Sequence, residues 1–447
     1  MELSLTSALT LLSIPILLLL VSLYPLLVFI TPHSRGALPS ELHYYTVKEG
    51  SSAADVDAAA QKASKDKLGT LKDDASVQLS VIIPAYNEEE RLPVMLTETV
   101  EYLEKLRTAK QSLAGVGPAG ATSKGKSNGA ASTSLSLDQA LREPLTSYEI
   151  VIVDDGSKDK TIAVALSLAH KLNLTRGSAR ELRVVKLEQN RGKGGAVRHG
   201  ILHARGALIL FADADGATRF SDLSPLCAEL DRVRTPTGHG AVVGSRAHLV
   251  GSEAVVKRSF IRNFLMHSFH LFLSLLLRPP SPSRLLRQWQ RSRASTKAQP
   301  LAQPEIRDTQ CGFKLFTRAT SLHIFPLSHI DRWIFDVELL MLAEMASEKT
   351  LRSGAGPVQR PTANGTSGKA TPKKKSNGVA NGTATSAQVD VLLRLPVPIA
   401  EVPVHWAEVS GSKIELLKDS IGMALDLLIL RANYALGRWA SPGVVPI

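Results

Sequence analysis

Four short stretches of the chain are continuously or alternately apolar and end abruptly in polar residues: Leu79–Pro84, Glu149–Val153, Leu182–Leu187 and Ala207–Phe211. Runs of this length that are rich in Val, Ile and Leu predict buried parallel strands. Between the first two, Glu88–Leu106 places Leu92, Leu96, Val100 and Leu103 at helical spacing, which predicts an amphipathic helix. Asn190–Gly200 (NRGKGGAVRHG) reads as a Gly-rich basic turn opening into another helix. Strands alternating with helices predict an α/β fold with a mostly parallel sheet, and in such sheets ligands gather at the carboxyl ends of the strands.

Two further apolar patterns lie toward the C-terminus. Phe260–Leu277 is basic at its start and aliphatic at its end, with Lys257, Arg258 and Arg262 leading in; an interfacial helix with its charges at headgroup level explains this better than a core helix. Ile414–Leu436 brings Leu416, Leu417, Ile421, Leu425, Leu428 and Leu436 near one stripe, the second candidate for an interfacial amphipathic helix. At the other end, Ala8–Ile30 carries no charge. As a helix it is about 35 Å long, enough for a hydrocarbon core of about 30 Å. The absence of a basic n-region argues for an anchor rather than a cleaved signal. Arg35 flanks the run and no Lys or Arg precedes it, so the positive-inside rule places the following domain in the cytosol.

Composition then divides the chain. Ala109–Ser136 and Arg352–Ala387 are rich in Gly, Ser, Ala, Thr and Lys, and Pro279–Pro304 in Pro, Arg and Gln; such stretches cannot bury enough apolar surface to offset chain entropy. The expected plan is an anchor over 1–32, a linker over 33–76 and a nucleotide-binding half over 77–255. An interfacial helix (256–278), a basic insertion (279–304), a second half of the domain (305–410) and a C-terminal amphipathic helix (411–440) follow. The net charge of +12 is concentrated in the insertions. No aromatic residues interleave with those lysines, so nucleic acid is not an expected partner; anionic membrane lipid is, with solvated tails as the plain alternative. The two cysteines, Cys227 and Cys311, make no disulfide framework, which suits a reducing compartment. No protein partner is legible.

The strand ends carry the chemistry. Tyr86 and Glu88 follow Pro84 at the first, offering a ring for a base and a carboxylate for ribose or ring N–H groups. Asp154 and Asp155 follow Val153 at the second. Lys193, among Gly192, Gly194 and Gly195, makes the third an anion site or simply a tight strand–helix connection. Asp213-Ala214-Asp215 closes the fourth, and in an extended chain residues i and i+2 face one side. With two phosphates, that pair suits Mg2+ or Mn2+, hard cations that take octahedral oxygen ligands.

These segments, LSVIIPAYNEEERL at 79–92, EIVIVDDGSKDKT at 149–161, NRGKGGAVRHG at 190–200 and LILFADADGAT at 208–218, resemble the family-2, GT-A-type glycosyltransferases, and within them the polyprenyl-phosphate glycosyltransferases. VGSRAH (243–248), RDTQCGFKLF (307–316), RWIFDVELL (332–340) and EVPVHWAEVSGSKI (401–414) narrow the resemblance to the branch that glucosylates dolichyl phosphate. The likeness spans roughly residues 77–440. It implies a GT-A fold, Rossmann-like, with UDP-glucose as donor, dolichyl phosphate as acceptor, inversion at the anomeric carbon, and a single-pass location in the endoplasmic reticulum membrane. It also implies a nucleotide-sugar site formed by Pro84, Tyr86, Glu88, Val153, Asp155, Lys193, Asp213, Ala214 and Asp215, an acceptor-phosphate grip by Arg246 with Arg258 and Arg262, and a sugar and reaction centre lined by Asp308, Gln310, Trp333 and Asp336. Catalysis would rest on Asp213, Asp215, Asp336 and Arg246. Trp333 could equally be core. A GDP-mannose enzyme of the same fold, a processive synthase and a non-catalytic lipid-binding scaffold are the alternatives; His329 in place of the synthases' Gln argues against the second, and the intact D-x-D against the third.

Overall fold

The computed structural model describes residues 22, 24–64, 66–115, 135–249, 306–352, 397–411 and 415–442. Seven strands form one sheet: β1 Val77–Ala85, β2 Tyr148–Asp154, β3 Arg180–Lys186, β4 Gly206–Ala212, β5 Ala241–Ser245, β6 Phe313–Thr317 and β7 Ile399–Pro403, in the order β3-β2-β1-β4-β6-β5-β7. β3, β2, β1 and β4 run parallel, β6 is antiparallel to β4 and β5 on either side, and β5 pairs parallel with β7. The strand order reverses its direction of growth at β1, so a crevice opens between the carboxyl ends of β1 and β4, where open α/β sheets bind their ligands.

Side chains alternate across β1 and divide the core in two. Leu79, Val81 and Ile83 pack on one face with Leu92, Leu96, Val100 and Leu103 of α1 (Leu92–Thr108). Ile82, Val151, Val153, Ile209 and Phe211 face the other layer. There they meet Ala196, Val197 and Ile201 of α2 (Lys193–Leu202), Phe335 and Leu342 of α3 (Phe335–Arg352), and Leu427 and Leu430 of α4 (Leu416–Ala435). The apolar spacing expected for α1 is the buried one. Its start differs: helix begins at Leu92, not Glu88, because Asn87 is left-handed at φ 52° and residues 87–89 are tied to the neighbouring loop.

Two expectations are corrected. Residues 33–76 are not a free linker: Val47, Val56, Leu68 and Leu71 are buried, and Tyr45 exchanges backbone hydrogen bonds with Val184 of β3. The insertion drawn from Ala109 starts later, since Ser112, Leu113 and Ala114 are buried and Leu145 N donates to Gln111 O. The stripe read on α4 faces outward, as an interfacial helix requires: Ile421, Leu425, Leu428 and Leu436 are exposed, while Leu427, Ile429, Leu430 and Asn433 are buried on the other side. Asn433 also donates to Thr31 Oγ1 at 3.0 Å, laying the helical residues 24–30 beside α4.

The anchor expected over Ala8–Ile30 falls mostly on residues 1–21 and 23, outside the described residues; among the described ones no helix is long and apolar enough to cross a membrane. Arg258, Arg262, Phe260–Leu277, the insertion 279–304 and most of Arg352–Ala387 also lie outside them.

Candidate active site

At the crevice, the turns after β1 and β2 are laced to each other. Asn87 N donates to Ser157 Oγ at 2.8 Å while Lys158 N donates to Asn87 Oδ1 at 2.8 Å. Glu89 N donates to Asp159 Oδ2 and Lys160 N to Glu89 Oε2. Reciprocal pairs of this kind satisfy the exposed donors of two loops at once. Glu89 and Asp159 are the fasteners. Glu88 is buried and takes both prongs of Arg91, at 2.6 and 2.8 Å. Arg91 also donates to Ser410 O and feels the negative charge of Asp215 and Asp213. Tyr86 and Pro84 remain partly open at the rim.

Both carboxylate oxygens of Asp155 are engaged by the Gly-rich turn. One carboxylate oxygen accepts Arg191 N at 2.7 Å and the other accepts Gly192 N at 2.8 Å. Burial pushes its carboxyl up to about 7 against the pull of those two donors. It thus fixes the Gly-rich turn, where Gly192 sits at φ 89° and an added Cβ would stand 2.7 Å from Asp331 O. Arg191 is anchored further by buried Glu41. Val153 and Ala214 are also reassigned: both side chains are buried in the hydrophobic layers, so neither offers more than backbone to a ligand.

Asp213 and Asp215 follow β4 on the crevice side. Asp213 N donates to Gly312 O at 3.0 Å, and a Cβ on Gly312 would fall 1.9 Å from Asp213 Oδ2. Only glycine leaves room for that carboxylate. Lys193 Nζ lies 2.7 Å from Asp213 Oδ1, between the rings of Phe211 and Trp333 at 5.3 and 6.0 Å. Asp215 Oδ1 accepts Ala217 N; burial, then the neighbouring Asp213, raises its carboxyl above the usual range.

Deeper in the crevice, Lys314 of β6 is fully buried and donates to Asp336 Oδ1 at 2.6 Å and to Cys311 O at 2.5 Å. On the acceptor side, Arg246 directs Nε and Nη2 to the two oxygens of Asp308 at 2.7 and 2.9 Å, and its backbone N donates to Asp308 as well. Burial would raise the Asp308 carboxyl, but Arg246 outweighs it and holds it below its ordinary value. The guanidinium lies over Trp406 at 5.7 Å. Gln310 reaches Met423 of α4 at 3.5 Å, which makes that helix one wall of the crevice. The structure therefore assembles Asp213, Asp215, Lys193, Trp333 and Asp336 into one charged cluster and joins Arg246 to Asp308. Arg91, Lys314, Gly312 and Trp406 complete the surroundings without having been singled out. Only Arg91 had a local signal, its Glu88-x-x-Arg91 spacing.

Residues 128–316 match the family described as Glycosyl transferase family 2. The dolichyl-phosphate beta-glucosyltransferase of Dictyostelium discoideum is 35% identical over 81% of this chain and 77% of its own length. That of Saccharomyces cerevisiae is 34% identical over 94% of this chain and 91% of its own. Among solved structures, glucosyl-3-phosphoglycerate synthase from Mycobacterium tuberculosis, in complex with Mn2+ and UDP-glucose, aligns at 13% identity and TM-score 0.35 over 88% of this chain and 87% of its own. The protein is a glycosyltransferase with a mixed seven-stranded α/β fold. More narrowly, the chain belongs to the dolichyl-phosphate β-glucosyltransferases.

Proposed function

We propose that this enzyme transfers glucose from UDP-glucose to dolichyl phosphate with inversion, at the cytosolic face of the endoplasmic reticulum membrane. The observation that carries the reading is the carboxylate pair Asp213 and Asp215 at the crevice, one oxygen already facing a cation, Lys193. A position that accepts an ammonium at 2.7 Å also suits a hard divalent ion, so these two residues would hold Mg2+ or Mn2+. Bound there, the ion would supply charge neutralisation for a departing nucleoside diphosphate.

The chain's own residues supply the rest. Tyr86 and the Glu88–Arg91 pair edge the nucleotide end, and Asp155 keeps the Gly-rich turn in register. Asp336, held by Lys314, lies buried behind the cluster and contributes to its charge balance from there. Arg246 meets the acceptor phosphate with Nη1, the prong not committed to Asp308. A phosphomonoester has a second pKa near ~6 and arrives ionised, so no obligatory general base is assigned. Tyr24, Leu26 and Phe29 are exposed, as are Ile421, Leu425 and Leu428 of α4; apolar surface of this kind suits lipid.

The test is a donor and acceptor matrix: UDP-glucose, GDP-mannose and UDP-GlcNAc, each with and without dolichyl phosphate, and each with EDTA or Mn2+. Glucosyl transfer dependent on the metal and on the lipid is the expected result. Preference for GDP-mannose, or transfer unaffected by chelation, overturns the donor or the metal assignment respectively.

A further inference from the structure

Lys193 does more than line an anion site. We infer that its ammonium is a tethered counter-cation which neutralises the Asp213–Asp215 pair when no donor is bound and exchanges onto the pyrophosphate when the metal–nucleotide arrives. The inference rests on the metal reading above.

Three observations support it. Lys193 Nζ sits 2.7 Å from Asp213 Oδ1, with Asp336 and Asp215 also within electrostatic reach. Two carboxylates side by side repel each other unless a cation lies between them. Second, the contact is open on one side: the side chains of Lys193 and Asp213 are 19% and 31% exposed, so an incoming ion can reach the carboxylate without unfolding anything. Third, the backbone beneath Lys193 is fixed. Asp155 holds the N–H groups of Arg191 and Gly192, Gly195 N donates to Asp331 O, and the turn at Gly192 has no room for a Cβ. Only the four-carbon stem is left to move.

The neighbouring cation cannot play this part. Arg91 senses the same two aspartates, yet its guanidinium is gripped by both oxygens of Glu88. Lysine suits an exchange because its ammonium is a compact point charge on a flexible stem, with no fork geometry to satisfy. With a divalent ion held by Asp213, the Lys193 ammonium would be displaced from the carboxylate, and the donor pyrophosphate would be the nearest new negative charge for it to meet.

The exchange predicts opposite effects on two affinities. In Lys193→Met the metal no longer competes with an internal cation, so nucleotide-free Mn2+ binding, read by electron paramagnetic resonance, tightens by about fivefold. UDP binding in saturating Mn2+, read by calorimetry on the same full-length protein in detergent, weakens by about tenfold because the phosphates lose a charged partner. Lys193→Gln repeats both shifts in case the methionine variant does not fold. Lys193→Arg keeps nucleotide-free Mn2+ affinity near wild type. Unchanged or weaker nucleotide-free Mn2+ binding in the neutral variants, while the wild type binds Mn2+ with UDP, overturns the exchange and leaves the metal assignment standing. A wild type that binds no Mn2+ even with UDP overturns both.

Discussion

Lys314 Nζ stands 2.6 Å from Asp336 Oδ1, and both side chains are shut away from water, at 1% and 3% exposure. The lysine comes from the one strand that runs against its neighbours and the aspartate from the start of α3. The pair therefore couples the sheet to the helix at the bottom of the crevice. Removing one partner of a buried pair leaves an uncompensated charge, a loss of about 3–5 kcal/mol. Lys314→Met should lower stability by that order and reduce transfer. Lys314→Met combined with Asp336→Leu should recover much of the stability and none of the activity. Urea titration and turnover of the three proteins check this; a single variant as stable as wild type rules the coupling out.

Gly312 meets Asp213 with no space to spare. In Gly312→Ala the methyl group would occupy the position of Oδ2, 1.9 Å away. Asp213 is partly exposed and can swing outward, so the domain should still fold. Turnover should fall by about 10²-fold or more, the size of other losses of a charge-stabilising contact. A melting temperature near wild type with activity lost is the expected pair of results, and normal turnover defeats the argument.

Where sequence pattern sufficed, the determining physics was local. Leu92, Leu96, Val100 and Leu103 are buried because helical spacing alone places them on one face. Asp213 and Asp215 follow β4 as expected, but β4 ends at Ala212 and Ala214–Asp215 form a turn, so it is the turn and not the two-residue repeat of an extended chain that sets the pair. Where it failed, the missing information was long-range. The commitment of Asp155 depends on residues 191 and 192 arriving beside it. Val153 belongs to a motif, yet only the pleat decides that it points inward. On α4 the outward stripe was legible, but the inward one was not: Leu427 and Leu430 are buried on the side where Asn433 bonds to Thr31. Residues 33–76 lack any regular period, although Val47, Leu68 and Leu71 are core.

The outward stripe of α4 is open to direct testing because its residues carry no core packing. Ile421 is 67% exposed and Leu425 and Leu428 nearly half. Changing all three to Glu should leave the melting temperature and UDP-glucose affinity near wild type. Transfer to dolichyl phosphate in liposomes should fall by about tenfold, since apolar area that would meet lipid is replaced by charge. Equal activity in liposomes would remove lipid contact from this face.

Arg246 and Asp308 set the terms for the acceptor. The guanidinium gives Nε and Nη2 to the carboxylate and rests over Trp406, so its plane is fixed and Nη1 is presented in one direction. Lysine retains the charge but has neither the fork nor the plane. In Arg246→Lys the contact with Asp308 drops to a single point, and the charge offered to a phosphate is no longer aimed. The apparent KM for dolichyl phosphate should rise several-fold to tenfold, with a smaller fall in kcat, while UDP-glucose affinity by titration stays near wild type. Asp308→Asn should shift acceptor KM in the same direction, because it frees the guanidinium to rotate although it leaves Arg246 in place. The two changes combined should cost less than their sum, as expected for residues in one contact. If UDP-glucose binding collapses in Arg246→Lys while acceptor KM holds, the pair belongs to the donor side, and the acceptor phosphate must be sought elsewhere on the crevice wall.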